Sequence, residues 1–206
     1  MHVALVMVIF RRVSMGHIHL VLGGARSGKS SLAERCAKKL NLPVTYIATA
    51  QSLDCEMESR IARHQKDRPS HWKTIESPTQ LASAIESIIE TNQESIELCI
   101  LVDCLTLWLT NCLCQHDLVY FEQEKQQLLS TLIRSQKHSN VHIILVSNEV
   151  GHGIVPMGDL SREFVDQAGW LHQAIAEIAD QVDFVMAGLP LALKTNNNVN
   201  VQRDNS

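Results

Sequence analysis

The chain has 206 residues, 45% of them hydrophobic, which fits one α/β domain with a substantial core. Its net charge of −4 argues against a protein that coats nucleic acid, because such proteins present a basic surface to phosphates. Six cysteines without a C-x-x-C pair argue against a metal cluster and favour buried, reduced thiols, so we expect a reducing compartment, the cytoplasm.

Both ends of the chain are predicted to lie outside the folded domain. Residues 1–16 are predicted to be a poorly ordered extension, with Met15 as an alternative start. Their apolar run is too short to span a bilayer and has its arginines after it, so a membrane tether is the weaker alternative. Residues 195–206 are rich in Asn and poor in apolar residues, which predicts a disordered tail. The domain is therefore predicted over 17–194.

The first motif in the chain is GGARSGKS, which we call the phosphate loop (residues 23–30). It follows an apolar run at 19–22 that predicts a buried strand, and it opens a helix predicted over 29–40. Glycines let several backbone N–H groups converge on one anion, and the helix N-terminus adds positive potential. Lys29 is then expected to reach the β- and γ-phosphates, and the Ser30 hydroxyl to ligate Mg²⁺. An ordinary Gly-rich turn is the alternative, but it does not account for both flanks.

The rest of the chain alternates between strand and helix patterns. Strands are predicted from β-branched, aromatic or continuous apolar runs at 44–49, 72–76, 98–102, 141–146 and 182–187. Helices are predicted from periodicity and capping signals at 55–66, from 77 onward, and at 105–115, 119–137 and 161–180. This alternation predicts a single α/β domain of the P-loop NTPase (RecA-like) type, with a mostly parallel sheet flanked by helices.

The segment 54–68, DCEMESRIARHQKDR, carries a candidate catalytic histidine. On a helix, Arg60, His64 and Arg68 share a face because they are spaced at i, i+4 and i+8. Two flanking cations favour the neutral, nucleophilic imidazole and also bind phosphates. On spacing alone, a solvated charged helix face is the stronger interpretation.

Three smaller sets of residues also stand out. Asp103 ends an apolar strand, where phosphate-loop proteins hold the carboxylate that organises Mg²⁺. Residues 147–156, SNEVGHGIVP, follow a strand with polar and Gly-rich sequence, and open α/β sheets bind ligands at such ends. Arg162 and Asp166 are one helical turn apart, for which a surface ion pair is the default interpretation.

In order and spacing these segments resemble one enzyme family. The matching sequences are GGARSGKS, YIATA, D-x-E-M-x-x-R-I-x-x-H with RP and W downstream, Asp103, and SNEVGHGIVP. The family is the bifunctional adenosylcobinamide kinase / adenosylcobinamide-phosphate guanylyltransferase of cobalamin biosynthesis, and the resemblance covers about His17 to Lys194. The phosphate loop occurs in many proteins, whereas YIATA with R-I-x-x-H, and NEVG-x-GIVP, are far more specific.

The resemblance implies two reactions. ATP or GTP first gives its γ-phosphoryl group to the hydroxyl of the aminopropanol arm of adenosylcobinamide. A histidine then attacks the α-phosphate of GTP, expels pyrophosphate, and passes GMP from a phosphoramidate to adenosylcobinamide phosphate, giving adenosylcobinamide-GDP. His64 matches that histidine, and neutral imidazole suits the role. A homo-oligomer, such as a trimer with sites between subunits, is also implied.

The resemblance further implies the residues of a nucleotide site. Lys29 is expected to stabilise phosphoryl charge, and Ser30 and Asp103 to hold Mg²⁺. Glu149 is expected near the corrinoid or the transferring phosphate. His172 departs from the family pattern, which predicts Asn before Gln173, so fine contacts there are open. The residues expected to line the GTP site are Gly23, Gly24, Ala25, Arg26, Ser27, Gly28, Lys29, Ser30, Thr49, Ala50, Gln51, Gln65, Lys66, Asp67, Arg68, Glu76 and Asp103.

Other function classes fit the sequence less well. A small-molecule or nucleotide kinase without nucleotidyl transfer needs the phosphate loop but no covalent histidine. A regulatory GTP-binding switch is expected to carry N-K-x-D, which this sequence lacks. A recombinase-like ATPase is expected to present a basic DNA-binding surface, which the charge of −4 disfavours.

Overall fold

The computed structural model describes residues 16–51, 68–92 and 96–195. The helix predicted over 55–66 and nearly all of the two predicted tails lie outside these ranges, so they stay predictions. Within these ranges, no helix is both long enough and apolar enough to cross a membrane.

A seven-stranded sheet carries helices on both faces and runs in the order β3-β2-β4-β5-β1-β6-β7. Neighbouring strands are parallel, except that β7 runs antiparallel to β6. This architecture confirms the predicted α/β fold with a mostly parallel sheet. The strands are β1 (His17–Gly23), β2 (Val44–Ala48), β3 (Lys73–Glu76), β4 (Leu98–Asp103), β5 (Val141–Asn148), β6 (Gln181–Met186) and β7 (Leu189–Lys194). The helices are α1 (Lys29–Leu40), α2 (Leu81–Thr91), α3 (Leu105–Gln115), α4 (Leu118–Ser135) and α5 (Asp159–Ile178).

Two apolar cores hold the helices on the sheet. Successive strand residues face opposite sides, so in β1 Leu20 joins one core and Val21 the other. The smaller core receives α1 through Ala33 and Ala37. The larger core receives α2 to α5, with Trp108 of α3 fully buried in it. Because both faces are covered, the loops at the carboxyl edge of the sheet are where polar functional groups can gather.

The strand register brings the predicted site segments to that edge. Ala48 of β2 lies opposite Asp103 on one side and Glu76 on the other. On the far side of β4, Gly23 at the end of β1 lies opposite Asn148 at the end of β5. The phosphate loop and the segments after β2, β3, β4 and β5 therefore leave the sheet at the same edge.

One strand, β7, was not predicted from the sequence. It returns from β6 through a two-residue turn, in which Ala187 has φ 51° and Gly188 has φ 79°. Positive φ at both central residues is the signature of a type I′ hairpin turn. The sequence signal was weak because Pro190 interrupts the run, and a proline is tolerated only at the edge of a sheet. Leu189, Leu191 and Leu193 are all largely exposed, so β7 turns no apolar face to the core.

Candidate active site

The phosphate loop joins β1 to α1, and its course depends on glycine at two positions. A Cβ atom on Gly23 would lie 2.5 Å from the carbonyl oxygen of Val185, so no side chain fits there. Gly28 has φ 97°, and a Cβ on it would lie 3.2 Å from Cα of Gly188 in the β6–β7 turn. The loop is therefore packed closely against β6 and the hairpin, at the N-terminus of α1, where the helix favours an anion.

Lys29 and Ser30 form the start of α1, directly after the phosphate-loop glycines. Lys29 is buried, and its Nζ donates a hydrogen bond to the carbonyl of Gly24 at 3.1 Å. This contact folds the ammonium back onto the loop, where it can neutralise the charge of a bound phosphate. Ser30 is half-buried beside it.

Asp103 supplies a carboxylate at the end of β4. The hydroxyl of Tyr46, on neighbouring β2, donates to Asp103 Oδ2 at 2.9 Å. Burial, with the nearby charge of Asp103 adding to it, raises the pKa of Tyr46, so the phenol keeps its proton and acts as the donor. Asp103 is thus held in place by a neutral partner.

Ser30 and Asp103 fit Mg²⁺ by the chemistry of their donors. A hydroxyl and a carboxylate oxygen are hard ligands of the kind that Mg²⁺ takes, together with phosphate oxygens and water. No group of three or more His, Cys, Asp or Glu able to hold a metal occurs among the residues described. Such a pair suits an ion that arrives with a nucleotide better than one held in a protein cage.

Thr49 anchors the segment Thr49-Ala50-Gln51 after β2 to the segment after β4. Its Oγ1 donates to the Cys104 carbonyl at 2.7 Å and accepts from the Cys104 N–H at 2.8 Å. Asn111 of α3 donates to the carbonyl of Thr49 at 2.8 Å and to that of Pro78 at 3.0 Å. These bonds fix the backbone on which three of the predicted nucleotide contacts stand, and Gln115 donates to the side chain of Gln51.

A cavity of about 400 Å³ lies beside the phosphate loop, on the side of β5 and β6. Glu149, one residue past β5, lines it, and its backbone N–H donates to the Gly23 carbonyl at 3.0 Å. Its Oε1 accepts from the N–H of Gly151 at 2.6 Å. The rest of the wall is formed by Gly24, Ala25, Arg26, Ser27, His152, Phe184, Val185, Met186 and Ala187. A carboxylate therefore stands at the wall of a cavity that the phosphate loop also borders.

Comparison with known proteins decides the family. The family model described as CobU, cobinamide kinase / cobinamide phosphate guanyltransferase, matches residues 19–193. The chain belongs to this family. The bifunctional adenosylcobalamin biosynthesis protein CobP of Pseudomonas aeruginosa is 54% identical over 175 residues, covering 85% of this chain and 96% of its own. The protein of that description named CobU from Escherichia coli is 38% identical over 184 residues, covering 85% of this chain and 98% of its own.

Solved structures agree on the fold. The RadB recombinase superposes with a TM-score of 0.50 at 15% identity, covering 83% of this chain and 74% of its own. At that identity the likeness shows the fold alone, and it confirms the predicted RecA-like architecture. The family resemblance drawn from the motifs is confirmed by the family model and by both relatives.

In this member of the kinase and guanyltransferase family, the structure also describes two further predicted nucleotide contacts, Arg68 and Glu76. Arg68 stacks on Tyr46, with its guanidinium carbon 3.6 Å from the ring centre, and so lies beside the partner of Asp103. Glu76 is exposed at the end of β3, an edge strand. His64, Gln65, Lys66 and Asp67 lie outside the described residues and stay predictions.

Two residues that organise the site were missed by the sequence reasoning, and one ion pair was assigned to the wrong partner. Tyr46 and Asn111 act through contacts across 57 and 62 residues, which no local pattern signals. Arg162 pairs with Asp159 rather than with Asp166, and it also donates to the carbonyl of Pro156 at 3.2 Å. Asp159, three residues before Arg162 at the start of α5, thus binds the guanidinium for which spacing alone predicted Asp166, four residues after it.

Proposed function

We propose that this chain phosphorylates adenosylcobinamide and then transfers GMP from GTP to the product, giving adenosylcobinamide-GDP. The observation that carries the proposal is the phosphate loop, with Lys29 folded onto it, in a chain that the kinase and guanyltransferase family model matches over residues 19–193. ATP and GTP both serve as candidate phosphoryl donors for the first step.

In the kinase step, the hydroxyl oxygen of the corrinoid arm attacks the γ-phosphorus, the bond to the bridging oxygen breaks, and a nucleoside diphosphate leaves. Lys29 and the loop N–H groups stabilise charge on the phosphoryl oxygens. Mg²⁺, held by Ser30 and Asp103, would neutralise charge between the β- and γ-phosphates when bound. Glu149 accepts the proton of the attacking hydroxyl, because its carboxylate lies at the wall of the cavity that the phosphate loop borders.

In the transferase step, His64 attacks the α-phosphorus of GTP and pyrophosphate leaves. The resulting phosphoramidate gives GMP to a phosphate oxygen of adenosylcobinamide phosphate, and the histidine returns to its neutral form. Arg68 supports this assignment: it follows His64 by four residues in sequence and contacts Tyr46, whose hydroxyl holds Asp103. A cation there can bind the phosphates that His64 attacks.

The test separates the two activities. The wild-type chain is incubated with α-labelled GTP, and the label is expected to become protein-bound, acid-labile and base-stable, as a phosphoramidate is. His64→Ala should abolish labelling while keeping much of the kinase rate. His138→Ala, which removes an exposed histidine beyond α4, is the matched control and should label normally. A label that is base-labile and acid-stable would reject the histidine linkage. If the protein has kinase activity but takes up no label, it is a kinase without nucleotidyl transfer.

We also propose that the protein is a cytoplasmic homo-oligomer, as a trimer. The edge strand β7 supports assembly, because it pairs only with β6 in the described sheet and exposes Leu189, Leu191 and Leu193 by 72%, 62% and 54%. The buried free thiols Cys99, Cys104 and Cys112 support a reducing compartment. A monomeric mass in light scattering at micromolar concentration would contradict the assembly.

A further inference from the structure

A buried histidine stands behind the carboxylate assigned to proton transfer. His172 of α5 is 5% exposed, and its Nε2 lies 2.7 Å from Ser147 Oγ. Its Nδ1 lies 3.5 Å from Glu149 Oε2. Ser147 and Glu149 are two positions apart at the end of β5 and so face the same side. Asn148 between them donates to Thr106 of α3 at 3.0 Å.

The chemistry of these groups fixes the direction of each hydrogen bond. Burial lowers the pKa of His172 despite the opposing charge of Glu149, which favours a neutral ring with one proton. A carboxylate can only accept, so the proton belongs on Nδ1, which faces Glu149. Nε2 is then the acceptor, and the fully buried hydroxyl of Ser147 donates to it. The order of donors therefore runs from Ser147 through His172 toward Glu149.

The last contact of this series is incomplete. Among the described residues, His172 Nδ1 is buried without a hydrogen-bond partner, and Glu149 carries the facing oxygen. Leaving a buried N–H unpaired is costly, so a small shift of the carboxylate toward the ring is favoured. Glu149 is already tied through Oε1 to the N–H of Gly151. The carboxylate is thus bonded to a donor on the loop through one oxygen and faces a donor on α5 with the other.

We propose that His172, oriented by Ser147, is a positioning residue that holds the Glu149 carboxylate at the cavity wall for the kinase step. The inference rests on the proposed role of Glu149 as proton acceptor. It also accounts for the departure noted in the sequence, where the family resemblance predicts Asn at this position. An Asn amide can donate to a carboxylate as an imidazole N–H does, so both residue types can perform the same task.

The test measures kcat and KM of the kinase half-reaction in the full chain. His172→Leu removes the donor, and kcat is expected to fall about tenfold to a hundredfold with KM for the nucleotide unchanged, because a misplaced base slows only chemistry. His172→Asn should restore most of the rate. GMP labelling should stay normal in both variants, because that step does not use Glu149. His142→Leu and His142→Asn, at a half-buried histidine near the amino end of β5, are the matched controls.

A double-mutant comparison separates positioning from a general loss of packing. In a Glu149→Gln background, His172→Leu is expected to have little further effect, because its target is already removed. Ser147→Ala should lower kcat in the same direction but less, and it serves if His172→Leu does not fold. Additive losses in the double variant, or a raised KM with normal kcat, would overturn the inference. An inactive wild-type kinase would instead overturn the proposed function, and full activity of Glu149→Gln would overturn both roles at this site.

Discussion

The carboxyl ends of β4 and β5 are neighbours in the sheet, yet they hold their carboxylates by different means. Asp103 ends β4 and accepts from the Tyr46 hydroxyl at 2.9 Å. Glu149 follows β5, accepts from the Gly151 N–H at 2.6 Å and faces His172 Nδ1 at 3.5 Å. One carboxylate accepts from a phenol on a strand, and the other accepts from a loop N–H and faces a histidine on a helix.

The partners explain how two similar groups can serve different purposes. Burial raises the pKa of Tyr46, so the phenol stays neutral and brings no second charge to the end of β4. Glu149 lies between N–H donors at the wall of a cavity, where an exact position matters more than charge. The first arrangement suits a metal ligand and the second a proton acceptor.

The largest expected effect comes from removing the charge at the β4 end. Asp103→Asn should lower kcat of the kinase step about 10²- to 10³-fold, because an amide cannot replace the carboxylate on Mg²⁺. The loss should be partly relieved by raised Mg²⁺, which a titration of rate against metal concentration measures. Asp159→Asn, at an exposed carboxylate that pairs with Arg162, is the matched control and should keep the wild-type rate. A normal rate in Asp103→Asn would remove the distinction between the two strand ends.

How far the sequence could predict this edge differs between its parts. The phosphate loop and Asp103 were predictable, because strand, glycine spacing and helix are contiguous in the chain. Tyr46 and Asn111 were not, because their roles depend on the register of β2 against β4 and on how α3 packs. His172 was noticed only as a departure, since its contact with Ser147 spans 25 residues. Local patterns thus point to the groups proposed to meet substrate, whereas tertiary packing decides which groups hold them.

The pH dependence of the free energy of unfolding should differ between the partner of Glu149, His172, and the partner of Asp103, Tyr46. The pKa of His172 is lowered in the folded state by burial, so below about pH 6.5 the unfolded chain binds more protons than the folded one. Stability should therefore fall as pH drops from 7 to 5, by at most about 1.4 kcal/mol per pH unit for this one group. Urea unfolding across that range measures the slope.

The same titration has an internal control. His172→Asn should reduce the slope without abolishing it, because burial also lowers the pKa of His19 and of His142, whereas Tyr46→Phe should leave the slope unchanged in this range. Tyr46 affects stability at alkaline pH, because its pKa is raised in the folded state, so stability falls as pH rises above about 10. Tyr46→Phe has no phenol to ionise and should lack this alkaline loss of stability. An unchanged acid slope in His172→Asn would mean that the ring does not stay neutral in the folded protein.

The smallest expected effect separates the two contacts of Tyr46. Tyr46→Phe removes the hydroxyl that orients Asp103 but keeps the ring face that Arg68 covers at 3.6 Å. The kinase kcat should fall about threefold to tenfold, which is about 0.7 to 1.4 kcal/mol and the net value of a typical hydrogen bond, while GMP labelling stays normal. Tyr46→Leu should impair both steps, because it removes the aromatic face on which the guanidinium stacks. Tyr120→Phe, at a tyrosine of α4 that stacks on His116, is the matched control. If the Phe and Leu variants have the same kinase rate and the same GMP labelling, the position of Arg68 does not depend on this ring. Tyr46 would then not connect Asp103 to the segment that carries His64.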